Sequence, residues 1–133
     1  MKYDKVKETG KGRRKFKSGA VRDVVKGKGS YYLLSPLAID RVAKHYENGA
    51  DKYSIRNWEK GQELSVYLDS GLRHSFEYLG GMRDEDHASA VVWNWMGLIH
   101  TEEMIRRGLL PADLNDLPNY TGIKFEMPKT KHL

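Results

Sequence analysis

Between positions 69 and 94 the chain concentrates side chains that can do chemistry. Asp69, Arg73, His74 and Glu77 come first, then Asp84, Glu85, Asp86 and His87 beyond Gly80-Gly81, and finally Asn94. His74 and Glu77 are three positions apart, which puts them on neighbouring turns of one helical face. Asn94 follows His87 by seven positions, two turns along one face. If the double-glycine bend folds two helices against each other, the two polar sets converge. Carboxylates, imidazoles and a carboxamide can then hold a hard divalent cation through oxygen ligands, with waters completing the shell. Mg2+ or Mn2+ suits such a site where the chemistry is that of nucleotides. The same residues also have purely structural readings. His74 and Glu77 can form a surface pair, and Asp84-Glu85-Asp86 a solvated turn ending in a helix cap. Asn94 interrupts the apolar run Val91-Val92-Trp93-Asn94-Trp95-Met96, so its amide either satisfies a core hydrogen bond or faces a site.

A second group lies in the polar segment 49–63. Lys52, Tyr53, Arg56, Asn57, Trp58 and Lys60 combine cations, an amide and aromatic rings. Lys and Arg meet phosphate oxygens, and Tyr or Trp stacks on a base, so the mixture suits a phosphorylated nucleoside. The alternative is that Trp58 packs the loop onto the rest of the fold. Spacing alone supports a metal and anion site and goes no further.

Three helices are expected to position these groups. The first spans 36–48: Ser35-Pro36 reads as a cap followed by proline at the first helical position, and Gly49 reads as the stop. The second spans 64–79, with Leu68, Leu72, Phe76 and Leu79 as its buried stripe and Gly80-Gly81 as its end. The third spans 86–107, opened by the acidic run and closed by Arg106-Arg107-Gly108. It is apolar almost all round between Ala88 and Ile99, as the central helix of a bundle would be. The pattern predicts an all-α fold: a small helical bundle with an irregular basic arm over 1–28, one helical domain over 29–122 and a tail over 123–133. The final KTKHL reads as frayed.

Composition narrows the field. With 133 residues, 39% hydrophobic and 31% charged, the chain can bury one core. It has no cysteine, which excludes disulfides, thiolate zinc sites and a cysteine nucleophile. No apolar run reaches the roughly 18 residues of a membrane span, and no apolar region follows the charged N-terminus as in a secretory signal. A soluble, cytoplasmic protein with no membrane partner is the expectation. Of the net charge of +5, residues 1–28 hold 11 Lys/Arg against 3 Asp/Glu, while the remainder holds 12 against 15. The arm can contact nucleic acid, a reading that predicts steep salt sensitivity and ranks behind a nucleotide partner. Assembly into a homo-oligomer would help complete a thin ligand set.

Several blocks occur in a distinctive order: Leu33-Leu34-x-Pro36, Gly49-Ala50-x-Lys52-Tyr53, Arg56-Asn57-Trp58-x-Lys60-Gly61, Arg73-His74, a glycine turn, Asp84-Glu85-Asp86-His87 and Trp93-Asn94. Over about residues 18 to 120 they resemble the phage-associated dATP/dGTP diphosphohydrolase N-terminal domain family, which is similar in style to the MazG-like all-α nucleotide pyrophosphohydrolases. The resemblance implies a helical, usually oligomeric protein that hydrolyses purine deoxynucleoside triphosphates with a divalent cation, releasing a monophosphate and pyrophosphate. It implies Glu77, Asp84 and Asp86 as cation ligands, with His74, His87 and Asn94 as ligands or their supports. Glu77, Asp86 and His87 would be the catalytic groups. Lys52, Arg56, Lys60 and Arg73 would contact phosphate, Asn57 would line the nucleotide site, and Tyr53 or Trp58 would cover the base. One departure stands out. MazG-like enzymes carry Glu-x-x-Glu on one helix and Glu-x-x-Asp on the next, whereas this chain has His74-x-x-Glu77, and on the next helix only Asp86-x-x-Ser89 or His87-x-x-Ala90. The alternative reading is therefore a non-catalytic phage nucleotide-binding protein that sequesters a nucleotide, such as an immune signal.

Overall fold

The computed structural model describes residues 12–24 and 26–123. The chain divides into two units, Met1–Pro36 and Leu37–Leu133. The expected C-terminal tail, past Ile123, and the first eleven residues of the basic arm lie outside the described residues.

In the first unit, where the glycine-rich sequence predicted an irregular arm, strands β1 (Arg13–Lys15) and β2 (Val21–Asp23) form an antiparallel hairpin. Arg14 stands opposite Arg22 and Lys15 opposite Val21. The turn closes because Gly19 takes a φ of 91°, and Phe16 N–H donates to the Ala20 carbonyl at 2.8 Å. Tyr31–Leu33 is a single 3-10 turn, and its side chains are exposed.

The second unit is helical. Helix α1 (Pro36–Tyr53) runs one turn beyond the expected stop at Gly49. Gly49 keeps an ordinary helical φ, so nothing breaks the chain there. The break falls at Ser54, with φ 129°, and Arg56, with φ 57°, both in the left-handed half of backbone space. A 3-10 turn over Asn57–Lys60 follows. Helix α2 (Leu64–Leu79) and helix α3 (His87–Arg106) then form an antiparallel hairpin with the boundaries that the sequence predicted to within a residue.

The buried stripe of α2 differs from the expected one. Leu64, Tyr67 and Gly71 face α3, whereas Leu72, Phe76 and Leu79 are 49%, 69% and 79% exposed. Glycines set this rotation: Gly71 lies under Asn94 and Trp95, and the Tyr67 ring covers Gly97 so closely that a Cβ there would overlap it. Leu64, Tyr67 and Leu98 form the core, with Leu68, Trp93 and Leu117 packed around it. Helix α3 is accordingly central on one side only. It buries Ala90, Asn94, Leu98 and Thr101 and exposes Val92, Trp95, Met96 and Ile99. The C-terminal segment returns to the hairpin, where Asp116 accepts the Ser65 N–H at 2.9 Å and so caps α2. Among the described residues no helix is long and apolar enough to cross a membrane.

Candidate functional site

The Gly80-Gly81 bend, with Gly81 at φ 87°, brings the end of α2 back against the start of α3. His74 and His87 meet across it. Their Nδ1 atoms are 2.9 Å apart, and the rings are 5.2 Å apart between centroids. His87 is 2% exposed. Glu77 Oε2 lies 2.9 Å from His87 Nδ1 and 3.6 Å from His74 Nδ1. Glu85 Oε1 lies 3.4 Å from His74 Nδ1 and 3.8 Å from His87 Nδ1. On the far side of the His87 ring, Nε2 meets Asp84 Oδ1 at 2.8 Å. That hydrogen bond raises the His87 pKa above the ordinary imidazole value and holds the Asp84 carboxyl below its own.

Ligand-capable atoms of His74, Glu85 and His87 all fall within 4.8 Å of one another. Imidazole nitrogens and carboxylate oxygens this close fit a divalent cation, with Glu77 as a further donor.

Asp86 is used differently. Arg41 from α1 donates to both its oxygens, at 2.6 and 3.1 Å, and Ser89 donates through its backbone N–H at 3.1 Å and its hydroxyl at 2.7 Å. The Arg41 bond, with the Ser89 bonds behind it, holds the Asp86 carboxyl far below the usual range. Asp86 thus caps α3 and ties α1 to it.

From this cluster a cavity of about 630 Å³ extends toward the α1 end, a volume in the range of small-molecule sites. His74, Glu85, Asp86 and Asn94 line one part, and Lys52, Tyr53, Arg56, Asn57 and Trp58 line another. Glu77, Asp84 and His87 stand outside the lining. Lys60 and Arg73 also stand outside it, and Arg73 pairs with Asp69 at 3.2 Å. Asn94 serves both readings the sequence allowed: its amide donates to the Ala90 carbonyl at 2.8 Å, and the residue lines the cavity. Trp58 does the same. It packs edge-on against His100 and Tyr46, and it also walls the cavity. Arg56 lies over the Trp58 ring and pairs with Glu59.

Several lining residues received no site role from the sequence. His45, Tyr46 and Trp93 form an aromatic wall, with His45 edge-on to Trp93 and Tyr46 tilted against it. Burial holds the His45 pKa below the ordinary imidazole value. His45 and Tyr46 lie in α1 among residues that read as a plain amphipathic face, so only the packing of α1 reveals them. Gln62 and Ser70 add polar groups that carry no sequence signal.

Comparison with known proteins follows the same stretch of chain. The family model described as dATP/dGTP diphosphohydrolase, N-terminal, matches residues 18–108. No curated protein and no solved structure matches the chain.

Proposed function

Because the chain belongs to the dATP/dGTP diphosphohydrolase, N-terminal, family, we propose that it is a metal-dependent nucleotide pyrophosphohydrolase acting on purine deoxynucleoside triphosphates. The observation that carries this reading is that one cavity is lined both by His74 and Glu85 of the imidazole–carboxylate cluster and by the cationic and aromatic side chains of Lys52, Tyr53, Arg56 and Trp58. Lys52 and Arg56 take phosphate oxygens, and Tyr53 or Trp58 covers the base. His74, His87, Glu77 and Glu85 hold the cation. When bound, that ion neutralises phosphate charge and polarises the attacking water. Water adds to the α-phosphorus, the bond to the bridging oxygen breaks, and a monophosphate and pyrophosphate leave. His45, whose pKa is held below the ordinary imidazole value by burial, stands on the cavity wall as the proton acceptor.

The test is a panel of nucleoside triphosphates incubated with the full chain and Mg2+ or Mn2+, reading products and retained ligand together. Pyrophosphate release from dATP or dGTP that needs the ion is the expected result. A second reading, a nucleotide-sequestering protein, draws on Asp86 being engaged by Arg41 and on the single helix carboxylate in the cluster, Glu77. Tight binding with the nucleotide recovered intact after denaturation, across all ions, would establish that reading instead. Nothing in the cavity favours nucleic acid over a free nucleotide.

The protein is further proposed to act as a homo-oligomer in a cytoplasm. The cavity lies on the side of the α2–α3 hairpin bearing Val66, Ser70, His74, Ala90 and Trp93. By helical periodicity Leu72, Phe76, Leu79, Val92, Trp95 and Ile99 belong to the other side. These six are all more than two-fifths exposed. Together they leave a largely apolar face in water, of the kind that marks an interaction surface. A second copy of the same hairpin is the occupant that fits, since a two-fold axis would pair like faces and make a four-helix arrangement.

A further inference from the structure

We infer that the centre formed by His74, His87, Glu77 and Glu85 selects a nitrogen-binding first-row transition ion, such as Mn2+, Fe2+, Co2+ or Zn2+, over Mg2+. This rests on the metal-dependent reading of the cavity above and names the class of ion it takes.

The donor atoms carry the argument. Mg2+ binds oxygen, keeps several of its waters and rarely accepts imidazole, whereas the transition ions take imidazole readily. Here two imidazole nitrogens point at each other, with Nδ1 atoms 2.9 Å apart. Donors bound at about 2.1 Å to one ion lie about 3.0 Å apart at a right angle and about 3.4 Å apart at a tetrahedral one. The distances from Glu77 Oε2 to the two nitrogens, 2.9 and 3.6 Å, bracket that range, and Glu85 Oε1 stands 3.4 Å from His74 and, farther off, 3.8 Å from His87. Two imidazoles and one carboxylate on adjacent corners leave other positions open for substrate and water.

The surroundings fit the same purpose. Asp84 holds His87 by Nε2, which fixes the ring with Nδ1 toward His74; a carboxylate behind a ligating histidine is a recurrent support at metal centres. Because His87 is buried at the start of α3, its nitrogen is presented by a rigid element.

The experiment titrates the metal-free full chain separately with Zn2+, Co2+, Mn2+ and Mg2+, without nucleotide, by calorimetry and by 15N NMR of the histidine rings. Zn2+ and Co2+ are expected to bind at least about 100-fold more tightly than Mg2+, and Zn2+ to move the Nδ1 resonances of His74 and His87 together. His74→Ala should weaken Zn2+ binding by about 10- to 100-fold. Glu85→Gln, at an exposed position where the fold is not at stake, should weaken it as well. Equal affinity for Mg2+ and Co2+, or Zn2+ binding that leaves both Nδ1 resonances in place, overturns the inference. Two outcomes separate it from the hydrolase reading. Turnover supported by Mg2+ and unchanged in His74→Ala removes the nitrogen centre and leaves the hydrolase. Zn2+ held at both imidazoles, with every nucleotide returned intact, leaves the centre and removes the hydrolase.

Discussion

The two oxygens of Asp86 accept four hydrogen bonds, two from Arg41 and two from Ser89. The Ser89 pair closes the first turn of α3, which makes Asp86 an N-cap, and such caps contribute about 1 kcal/mol. The Arg41 pair is largely exposed, so it adds little to stability and serves mainly to locate α1. Asp86→Ala is therefore expected to lower unfolding stability by about 1–2 kcal/mol, measurable in urea. An unchanged urea midpoint would count against the capping role. The division of labour among Asp84, Glu85 and Asp86 was not legible in the sequence. Their spacing announced three acids at a helix start, but Arg41, forty-five positions earlier, decides which of them is engaged. Glu85 is left facing the imidazoles and Asp84 behind His87. Asn94 was legible because a carboxamide stands out in an apolar run, and His74 and His87 because they fall among carboxylates on either side of a glycine bend. His45 and Tyr46 were not, because their role depends on where α1 lies rather than on anything in their own stretch.

The α2–α3 hairpin owes its geometry to glycine as much as to leucine. Its ends were readable from local chemistry: Gly80-Gly81 stops α2, and an acidic residue caps α3. Its rotation was not, because Leu68, Leu72, Phe76 and Leu79 form as good an apolar stripe as the face that is buried. Close approach at Gly71 and Gly97 decides between the two. A methyl group at Gly97 must displace the Tyr67 ring, whose hydroxyl donates to the Trp58 carbonyl at 3.3 Å. Gly97→Ala should cost about 1–3 kcal/mol through overpacking and lower the thermal midpoint, with disturbance passing through Tyr67 to the cavity wall at Trp58. At the other end of α2, Asp116 holds Ser65, and the Ser65 hydroxyl bond keeps its carboxyl below the ordinary value. A depressed carboxyl stabilises the fold above its unfolded pKa and loses that contribution as pH falls through the folded one. Asp116→Asn should thus melt below the native chain near neutral pH. The gap should narrow as acidity passes below the ordinary aspartate range, and a gap constant with pH would exclude the linkage.

The cavity side of the α2–α3 hairpin carries Ser70, His74 and Asn94 beside Val66, Ala90 and Trp93, while the side opposite presents Phe76 at 69% and Leu79 at 79% exposure beside Trp95 and Ile99. Water disfavours an apolar surface of this extent, and a monomer gains nothing by keeping it. The same stripe that looked in the sequence like a core is thus well suited to be one shared between copies. Phe76→Glu separates the possibilities, because at an exposed position a charge costs a monomer's fold little. In a dimer the two substituted residues would desolvate one another's neighbourhood and repel across the two-fold axis. Light scattering at tens of micromolar protein is expected to return a dimer or larger mass for the native chain and a monomer mass for Phe76→Glu, with helical content retained. A monomer mass for the native chain refutes the assembly. Nucleotide affinity measured on the dissociated variant then decides whether the cavity is complete within one copy: an unchanged dissociation constant assigns every binding group to a single chain, and a weakened one means the second copy contributes to the site.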